Sequence, residues 1–169
     1  MNLLTAKPFI YVFNVSDTQL AENWKPDTTI LQAIGASEFV VMCNKLELEL
    51  SELGPEEKAQ FLKELELPES GLDALIKTGY HTLNLLSFLT TGEKESRAWT
   101  CHRGDTIPVA SRAIHTDFER LFIRAEVINW QDLLNCGGYG SARAKGLLHT
   151  VGKDYVVKDG DVVEILIGK

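Results

Sequence analysis

The chain has 169 residues, of which 44% are hydrophobic and 24% are charged, and its net charge at neutral pH is −7. This length suffices for one medium domain or two small ones, and the acidic balance argues against a generic nucleic-acid binder. No apolar run approaches the roughly 20 residues of a membrane helix, no secretory signal is recognisable, and three widely separated cysteines predict neither a disulfide framework nor a zinc site, so we expect a cytoplasmic protein.

Two short apolar runs predict buried strands of a parallel sheet. Phe9–Phe13 is continuously apolar, as in strands covered on both faces, and Phe39–Cys43 forms a second such run. Between them, Asp27 suits a helix N-cap and Gly35 suits a helix end. A strand, a helix and a strand at this spacing predict a βαβ unit with parallel pairing.

Helical patterns begin at Gly54. Pro55 suits the first position of one helix, and Ser70 with Asp73 resembles the capping box of a second helix. Behind Ser70, apolar residues recur at helical spacing as far as Leu86. We expect this second helix to pack on the two-stranded sheet.

Beyond Thr90, short strands, turns and short helices alternate, which predicts a small α+β domain. The predicted strands are Ser96–Cys101, Ile123–Ile128, Asp154–Val157 and Asp161–Ile167, and the predicted helices are Asp117–Phe122 and Trp130–Asn135. The last two strands flank Lys158-Asp159-Gly160, which predicts a terminal hairpin with an Asp-Gly turn.

Charge is distributed unevenly between these two parts of the chain. Residues 1–92 carry six lysines, no arginine and 13 acidic residues, whereas residues 93–169 carry 11 basic and 11 acidic residues. The second part holds all six arginines: Arg97, Arg103, Arg112, Arg120, Arg124 and Arg143. The two parts therefore present different surfaces.

A polar motif, Asn14–Asp17 (Asn-Val-Ser-Asp), follows the first predicted strand. In GTP-binding domains, an Asn-Lys-x-Asp loop at a strand end reads guanine, because the Asp carboxylate accepts two hydrogen bonds from the base. Here the Lys is absent, and such residues also suit a turn or a helix cap. The second strand ends in Cys43–Lys45, and open α/β sheets bind ligands at the carboxyl ends of adjacent parallel strands. From these residues alone, the two loops could form a base-binding site, or Asn14–Asp17 could be only a turn or a helix cap.

Several segments resemble, in the same order, the C-terminal half of the Obg-like (YchF-type) ATPases. They are "LTAKPFIYVFNVSD", "CNKLELELSELGPEEKAQFL", "ESGLDALI", "TTGEKESRAWT", "AIHTDFERLFIRAEVI" and "GKDYVVKDGDVVEILI". Together they cover nearly the whole chain.

This resemblance implies an α/β fold class in two domains. Residues 1–86 would be the C-terminal portion of a parallel-sheet, P-loop GTPase-like nucleotide domain, and residues 87–169 would be an α+β TGS domain with a β-grasp (ubiquitin-like) fold. It also implies that the complete family protein binds and hydrolyses ATP, and in some members GTP, with Mg²⁺. The implied partner is the ribosome or ribosomal RNA.

The resemblance assigns roles to two groups of residues. The residues expected to contact a purine base are Asn14, Val15, Asp17, Cys43, Asn44 and Lys45. The residues expected to contact RNA or the ribosome are Lys94, Arg97, Arg103, Arg112, Arg124, Arg143 and Lys145, although on charge alone such residues would merely solvate a small domain. The family's base-reading loop commonly ends in Glu where this chain has Asp17, and its second loop usually has Ala where this chain has Asn44. The resemblance therefore leaves the base preference open.

Phosphate binding and hydrolysis are not expected from this chain alone. A phosphate-binding loop needs the string G-x-x-x-x-G-K-[ST], and neither that string nor an Asp-x-x-Gly motif occurs in the 169 residues. Because phosphoryl transfer depends on positioning and charge stabilisation by these parts, we expect no catalytic residue, no metal ligand and no cofactor in this chain alone.

Three functions follow as alternatives. The first is a non-catalytic fragment that supplies the purine-recognition side of a nucleotide site and a ribosome-binding TGS domain. The second is half of a split ATP or GTP hydrolase, active only with a chain that carries the N-terminal P-loop half. The third is a protein-binding β-grasp adaptor. Because half of a doubly wound sheet leaves a strand edge and apolar faces open, self-association or a partner is expected, whereas a membrane partner is not.

Overall fold

A computed structural model describes residues 3, 7–92 and 95–168. The chain divides into two compact units, residues 1–83 and residues 84–169, which are called the first and second units below. The division falls three residues before the boundary expected from the sequence, because a strand of the second unit already begins at Leu85.

The first unit contains a two-stranded parallel sheet of β1 (Ile10–Asn14) and β2 (Glu38–Met42). The connection between them holds α1 (Asp17–Ala21) and α2 (Thr28–Ile34), which confirms the predicted βαβ unit. The Asp27 side chain accepts a hydrogen bond from the Ile30 backbone N–H at 2.8 Å, as a helix N-cap does.

Three further helices complete the first unit: α3 (Asn44–Glu52), α4 (Pro55–Glu64) and α5 (Gly71–Thr82). A small apolar core contains Cys43, Leu46 and Leu50, against which Phe61 and Leu62 of α4 pack. Helix α5 packs on β2, as predicted. Gly71 lies so close to β2 that a Cβ atom built on it would stand 2.4 Å from the Met42 Cβ.

The helical spacing that continues to Leu86 overestimates the length of α5. The helix ends at Thr82, and Asn84 adopts a left-handed backbone conformation with φ of 55°. That conformation interrupts a right-handed helix, so Leu86 instead lies in a strand and is buried in the core of the second unit.

The second unit is built on a five-stranded mixed sheet with strand order β4-β3-β7-β5-β6. The strands are β3 (Leu85–Thr91), β4 (Ser96–His102), β5 (Phe122–Asn129), β6 (His149–Val151) and β7 (Asp161–Ile167). The first strand, β3, pairs antiparallel with β4 and parallel with β7, whereas β5 pairs antiparallel with both β7 and β6.

The predicted terminal hairpin is wrong. Strand β7 pairs with β5 and β3, and the segment before it makes one isolated bridge, from Val156 to Thr106. The Asp-Gly turn is held by β3 instead, because Asp159 Oδ1 accepts from the Ser87 N–H at 2.9 Å and the Gly160 N–H donates to the Ser87 carbonyl at 2.8 Å. These contacts direct the turn toward the middle of the sheet.

Short helices cover both faces of this sheet. They are α6 (Ile107–Ala110), which continues into a 3₁₀ turn at Ser111–Ala113, α7 (Thr116–Leu121), α8 (Trp130–Cys136) and α9 (Tyr139–Ala144). One face packs Phe88, Val127 and Val163 against Ile107. The other face packs Ile128 and Val162 against Ala142 of α9. Within the described part of the chain, no helix is long and apolar enough to cross a membrane.

Candidate functional site

The loops that follow β1 and β2 meet, and Asn14 joins them. Its Oδ1 atom accepts a hydrogen bond from the Asn44 backbone N–H at 3.0 Å, across 30 residues of sequence. One residue further on, the Val15 N–H donates to the Met42 carbonyl at 2.9 Å and extends the parallel ladder. The two candidate base-contacting loops are therefore adjacent, as expected for the carboxyl ends of neighbouring parallel strands.

Asp17 is the first residue of α1 but does not act as the cap of this helix. Ser16 occupies the N-cap position, where its hydroxyl accepts from the Gln19 N–H at 3.2 Å and its N–H donates to Gln19 Oε1 at 3.0 Å. This reciprocal pair is a complete capping box. The Asp17 carboxylate is left 62% exposed and available to a ligand.

Across the two loops, Asp17 forms an ion pair with Lys45. Lys45 Nζ lies 3.5 Å from Asp17 Oδ2, and both side chains are mostly exposed. The Thr18 N–H, which donates to Asp17 Oδ1 at 2.9 Å, and then Lys45 lower the pKa of the Asp17 carboxyl below its usual range. At neutral pH Asp17 is thus an ionised hydrogen-bond acceptor with a cationic donor beside it.

The other two predicted base-contacting residues, Val15 and Cys43, are buried, with relative exposures of 9% and 3%. The Cys43 side chain belongs to the apolar core between α3 and α4. These two side chains are therefore buried beneath the surface of the two loops. The other four predicted residues, Asn14, Asp17, Asn44 and Lys45, are exposed.

A mostly apolar pocket of about 220 Å³ lies beside Asp17 in the first unit. Its lining residues are Asp17, Leu20, Ala21, Leu46, Glu49, Phe61, Leu65 and Leu67. Asp17 therefore lines this pocket and also contacts Lys45 at the loop surface.

Glu47, which the sequence did not single out, fixes the second loop. Its carboxylate accepts from the Gly71 N–H at 2.7 Å and from the Leu72 N–H at 3.2 Å, and so ties α3 to the first turn of α5. A carboxylate at a helix N-terminus is favourable because it meets unpaired N–H groups and the positive end of the dipole. The two partners are 24 and 25 residues apart in sequence, so no local pattern indicated this contact.

The predicted RNA-contacting residues differ in how their charges are engaged. Arg112 pairs with Glu119, and its Nη2 atom lies 2.6 Å from Glu119 Oε1. This hydrogen-bonded pair raises the pKa of Arg112 and lowers that of Glu119. Arg143 pairs with Glu126 of β5 at 2.6 Å. Both arginines are exposed, but each has a carboxylate as its partner.

Arg97 lies on β4, an edge strand of the sheet, and its guanidinium carbon stands 4.4 Å from the centre of the Trp99 ring. Its ion pair with Glu95 is long, at 3.9 Å, and both side chains are mostly exposed. Stacking on the ring orders the guanidinium while leaving its donors available.

Three further predicted RNA-contacting residues are exposed. Arg103 follows β4 at a turn, Arg124 lies on β5, and Lys145 follows α9. Arg124 and Arg143 line one shallow pocket, which they share with Glu126 and Glu164. Lys94 lies outside the described residues.

The described residues contain no cluster of metal-ligating side chains. Within residues 3, 7–92 and 95–168, no group of three or more His, Cys, Asp or Glu side chains is arranged to hold one. The exposed side chains of the two loops offer a carboxylate, an amide and an ammonium group for hydrogen bonds and ion pairs.

Most of the second unit matches a family model. Residues 85–167 match the YchF-GTPase_C family, described as a protein of unknown function (DUF933).

Curated relatives match nearly the whole chain. A Bacillus subtilis (strain 168) protein named "Ribosome-binding ATPase YchF" is 45% identical over 167 residues, which cover 96% of this chain and 46% of that protein. A protein of the same name from Escherichia coli O157:H7 is 41% identical over 169 residues, which cover 98% of this chain and 46% of that protein. The chain spans about half the length of the curated relatives it matches.

Solved structures agree with the sequence comparison. The structure of the Schizosaccharomyces pombe YchF GTPase superposes with a TM-score of 0.81 at 34% identity, covering 97% of this chain and 44% of that one. A GTP-binding protein from Pyrococcus horikoshii OT3 shares the fold, with a TM-score of 0.59 at 17% identity over 96% of this chain and 46% of that one.

Proposed function

Because this chain belongs to the Obg-like (YchF-type) ATPase family and corresponds to the C-terminal half of its relatives, we propose that it combines two functions. The first unit supplies the purine-recognition side of a nucleotide site. The second unit is a TGS domain that contacts the ribosome or its RNA in the cytoplasm.

The Asn14–Asn44 hydrogen bond is the main observation that supports purine recognition by the first unit. It holds two polar loops together at the carboxyl edge of a parallel sheet, where open α/β sheets bind ligands. In this role Asn14 is a positioning residue, whereas Asp17, Asn44 and Lys45 contact the base. Val15 and Cys43 act through packing beneath the loops.

Catalysis requires parts that these 169 residues do not contain. In phosphoryl transfer, backbone N–H groups and a Lys of the P-loop hold the phosphates, and Mg²⁺ neutralises the developing charge. We assign the phosphates and Mg²⁺ to residues outside this chain, which leaves it inactive alone. Relatives named ribosome-binding ATPases extend well beyond the matched region and support this assignment.

A mixing experiment tests whether the chain is one half of a hydrolase. Phosphate release from ATP and from GTP is measured for this chain, for the N-terminal half of a relative, and for the two together. Stimulation by mixing supports the split-hydrolase alternative. Equal rates with and without this chain contradict it and leave the non-catalytic assignment.

For the second unit, we propose a β-grasp arrangement, supported by the parallel pairing of β3 with β7 inside an otherwise antiparallel sheet. Its RNA contacts come first from Arg97, Arg103 and Arg124. Arg112 and Arg143 contribute less, because each carries a carboxylate partner within hydrogen-bonding distance. Phosphate contacts made by arginines are weakened by salt.

Ribosome binding is tested by co-sedimentation with purified ribosomes across a salt series. A variant with Arg97, Arg103 and Arg124 changed to Ala loses binding and its salt dependence, with about one unit of log–log slope lost for each phosphate contact. The matched control is Arg120→Ala, an arginine of the same unit that pairs with Asp117 at 3.5 Å and lies outside the proposed surface.

Two results contradict the RNA-contact proposal. If the chain does not sediment with ribosomes even at low salt, the second unit does not bind them by itself. If binding is insensitive to salt and to the arginine substitutions, a protein-binding adaptor is the better description.

A further inference from the structure

We propose that a pocket in the second unit binds a small organic cation, with the buried Asp161 carboxylate as its anchor. The pocket has a volume of about 490 Å³ and lies between the end of β5, the start of β6 and the turn before β7. It shares no residue with the two loops of the first unit or with the residues expected to contact RNA.

Asp161 lines this pocket, and its hydrogen bonds use only one of its two carboxylate oxygens. The residue is 4% exposed, and its Oδ2 atom accepts from the Tyr155 hydroxyl and from the Lys158 N–H, both at 2.9 Å. Within the described part of the chain, Oδ1 accepts no hydrogen bond. A buried carboxylate is stabilised by each further donor that it meets. Oδ1 is therefore the group that receives a donor entering the pocket.

The ionisable side chains that line the pocket favour a positive ligand. They are Asp132, His149, Tyr155, Lys158, Asp159 and Asp161. When the histidine and the tyrosine are counted as neutral, three carboxylates and one ammonium group leave a formal charge of −2. A hydrogen bond between two charged groups is roughly twice as strong as one between neutral groups. An ammonium group is therefore a better partner for Asp161 than a neutral donor.

The walls of the pocket indicate that the cation has a carbon body. Leu147 and Tyr155 line the pocket together with the charged groups, and small-molecule sites of about 300–1,000 Å³ combine such walls with a few polar anchors. Asp132 and Asp159 are exposed, so water screens their charges and they attract a cation less strongly than Asp161 does. The ligand class is thus a primary amine on a short hydrocarbon chain or a single ring.

The test compares three ligands that share one ring and differ in one group, by two-dimensional ¹H–¹⁵N NMR titration of the full chain at neutral pH. They are benzylamine, which is a cation under these conditions, neutral benzyl alcohol, and the benzoate anion. We expect benzylamine to bind about tenfold more tightly than benzyl alcohol, and benzoate to bind least tightly. The amides that shift should be those of residues 127–129 and 158–161.

Substitutions test the role of Asp161. Asp161→Asn keeps one oxygen that accepts from Tyr155 and Lys158 but replaces the second oxygen with a donor. Benzylamine should therefore bind about tenfold more weakly, and benzyl alcohol nearly as before. Asp132→Asn removes an exposed carboxylate of the pocket and should weaken benzylamine binding about twofold. The matched control is Asp117→Asn, the same change at an exposed aspartate of α7 outside the pocket, which should leave binding unchanged.

Three results would overturn the inference. The first is that benzoate or benzyl alcohol binds as tightly as benzylamine. The second is a set of shifts spread over both units, which would indicate general attraction of a cation to an acidic chain. The third is equal benzylamine affinity in Asp161→Asn and Asp117→Asn. If Asp161→Asn does not fold, equal affinity in Asp132→Asn and Asp117→Asn contradicts the inference, because the charge of the pocket then plays no part in binding.

Discussion

Asp161 is the buried charged residue on which the turn before β7 depends. It is 4% exposed, and its Oδ2 atom accepts from the Tyr155 hydroxyl at 2.9 Å and from the Lys158 N–H at 2.9 Å. Burying a carboxylate is unfavourable unless hydrogen bonds compensate for the lost water. Burial, and then Asp161, raise the pKa of the Tyr155 phenol to about 12.

Tyr155→Phe is expected to destabilise the second unit by about 1–3 kcal/mol, because it removes the hydrogen bond that the buried Asp161 side chain accepts. Urea denaturation measures the change in the free energy of unfolding. The matched control is Tyr139→Phe, which removes the oxygen that accepts a hydrogen bond from the neutral Thr91 hydroxyl at 3.2 Å, and this change should cost less. Equal losses in the two variants would contradict the stronger role of Asp161.

The same contact predicts a dependence of stability on alkaline pH. The folded phenol has a pKa of about 12, whereas an unfolded tyrosine has a pKa of about 10. Between these values the unfolded state loses the proton that the folded state keeps, so stability falls as pH rises from about 10 to about 12. Tyr155→Phe should lack this component, which the ultraviolet absorbance of tyrosinate and parallel denaturation curves can measure.

The N-terminus of α5 packs very closely against β2. Its first residue, Gly71, touches β2 so closely that a Cβ atom would stand 2.4 Å from the Met42 Cβ. The same turn receives the Glu47 carboxylate and the Ser70 cap, whose hydroxyl accepts from the Asp73 N–H at 3.1 Å. The start of α5 thus contacts β2 and α3 as well as its own cap, and it holds α3, whose first turn carries Asn44 and Lys45.

Gly71→Ala is expected to destabilise the first unit by about 1–3 kcal/mol, because the added methyl overpacks the contact with β2. Its control is Gly79→Ala in the same helix, where no heavy atom lies within 4 Å of the added Cβ and stability should rise by up to about 1 kcal/mol. Hydrogen exchange of the β2 amides measures both changes in the first unit alone. If both substitutions stabilise the first unit, β2 and α5 can move apart without loss of free energy, and the overpacking prediction is wrong.

At the scale of the whole molecule, the two units differ in how well their sheets are covered. In the second unit, helices cover both sheet faces. In the described part of the first unit, β1 and β2 pair only with each other, and Phe9, Tyr11, Val12 and Phe39 are each 39% to 54% exposed. The continuous apolar pattern of Phe9–Phe13 led us to expect strands covered on both faces, and these exposures differ from that expectation.

The open sheet predicts self-association, since exposed strand edges and apolar patches drive it. Sedimentation velocity across a concentration series should show a rising average mass, and Val12→Lys should reduce it. The matched control, Leu134→Lys, places the same charge at an exposed leucine of α8 in the second unit and should have no such effect. A monomer at every concentration would contradict the prediction.

The sequence predicted several local features of the fold correctly. Asp27 and Gly35 bound α2 as predicted, because capping depends on residues within one turn of the helix end. The parallel pairing of β1 and β2 was also predictable, because two apolar strands joined by a helical crossover are typical of a βαβ unit. For the site, the same topology predicted that the loops after β1 and β2 would be neighbours, as the Asn14–Asn44 hydrogen bond shows.

Features that depend on distant residues were decided only by the tertiary structure. The Asp-Gly turn has the local pattern of a hairpin, yet Ser87, 72 residues from Asp159, holds it against β3. Glu47 and Gly71 show no local signal because their partners belong to other elements. The sequence by itself determined the family, the polar loops and the local caps, since these reside in short patterns. Only the packing of separate elements brought the Asp17 carboxylate to the Lys45 ammonium, because hydrogen bonds and close contacts across 28 residues form only when the chain is folded.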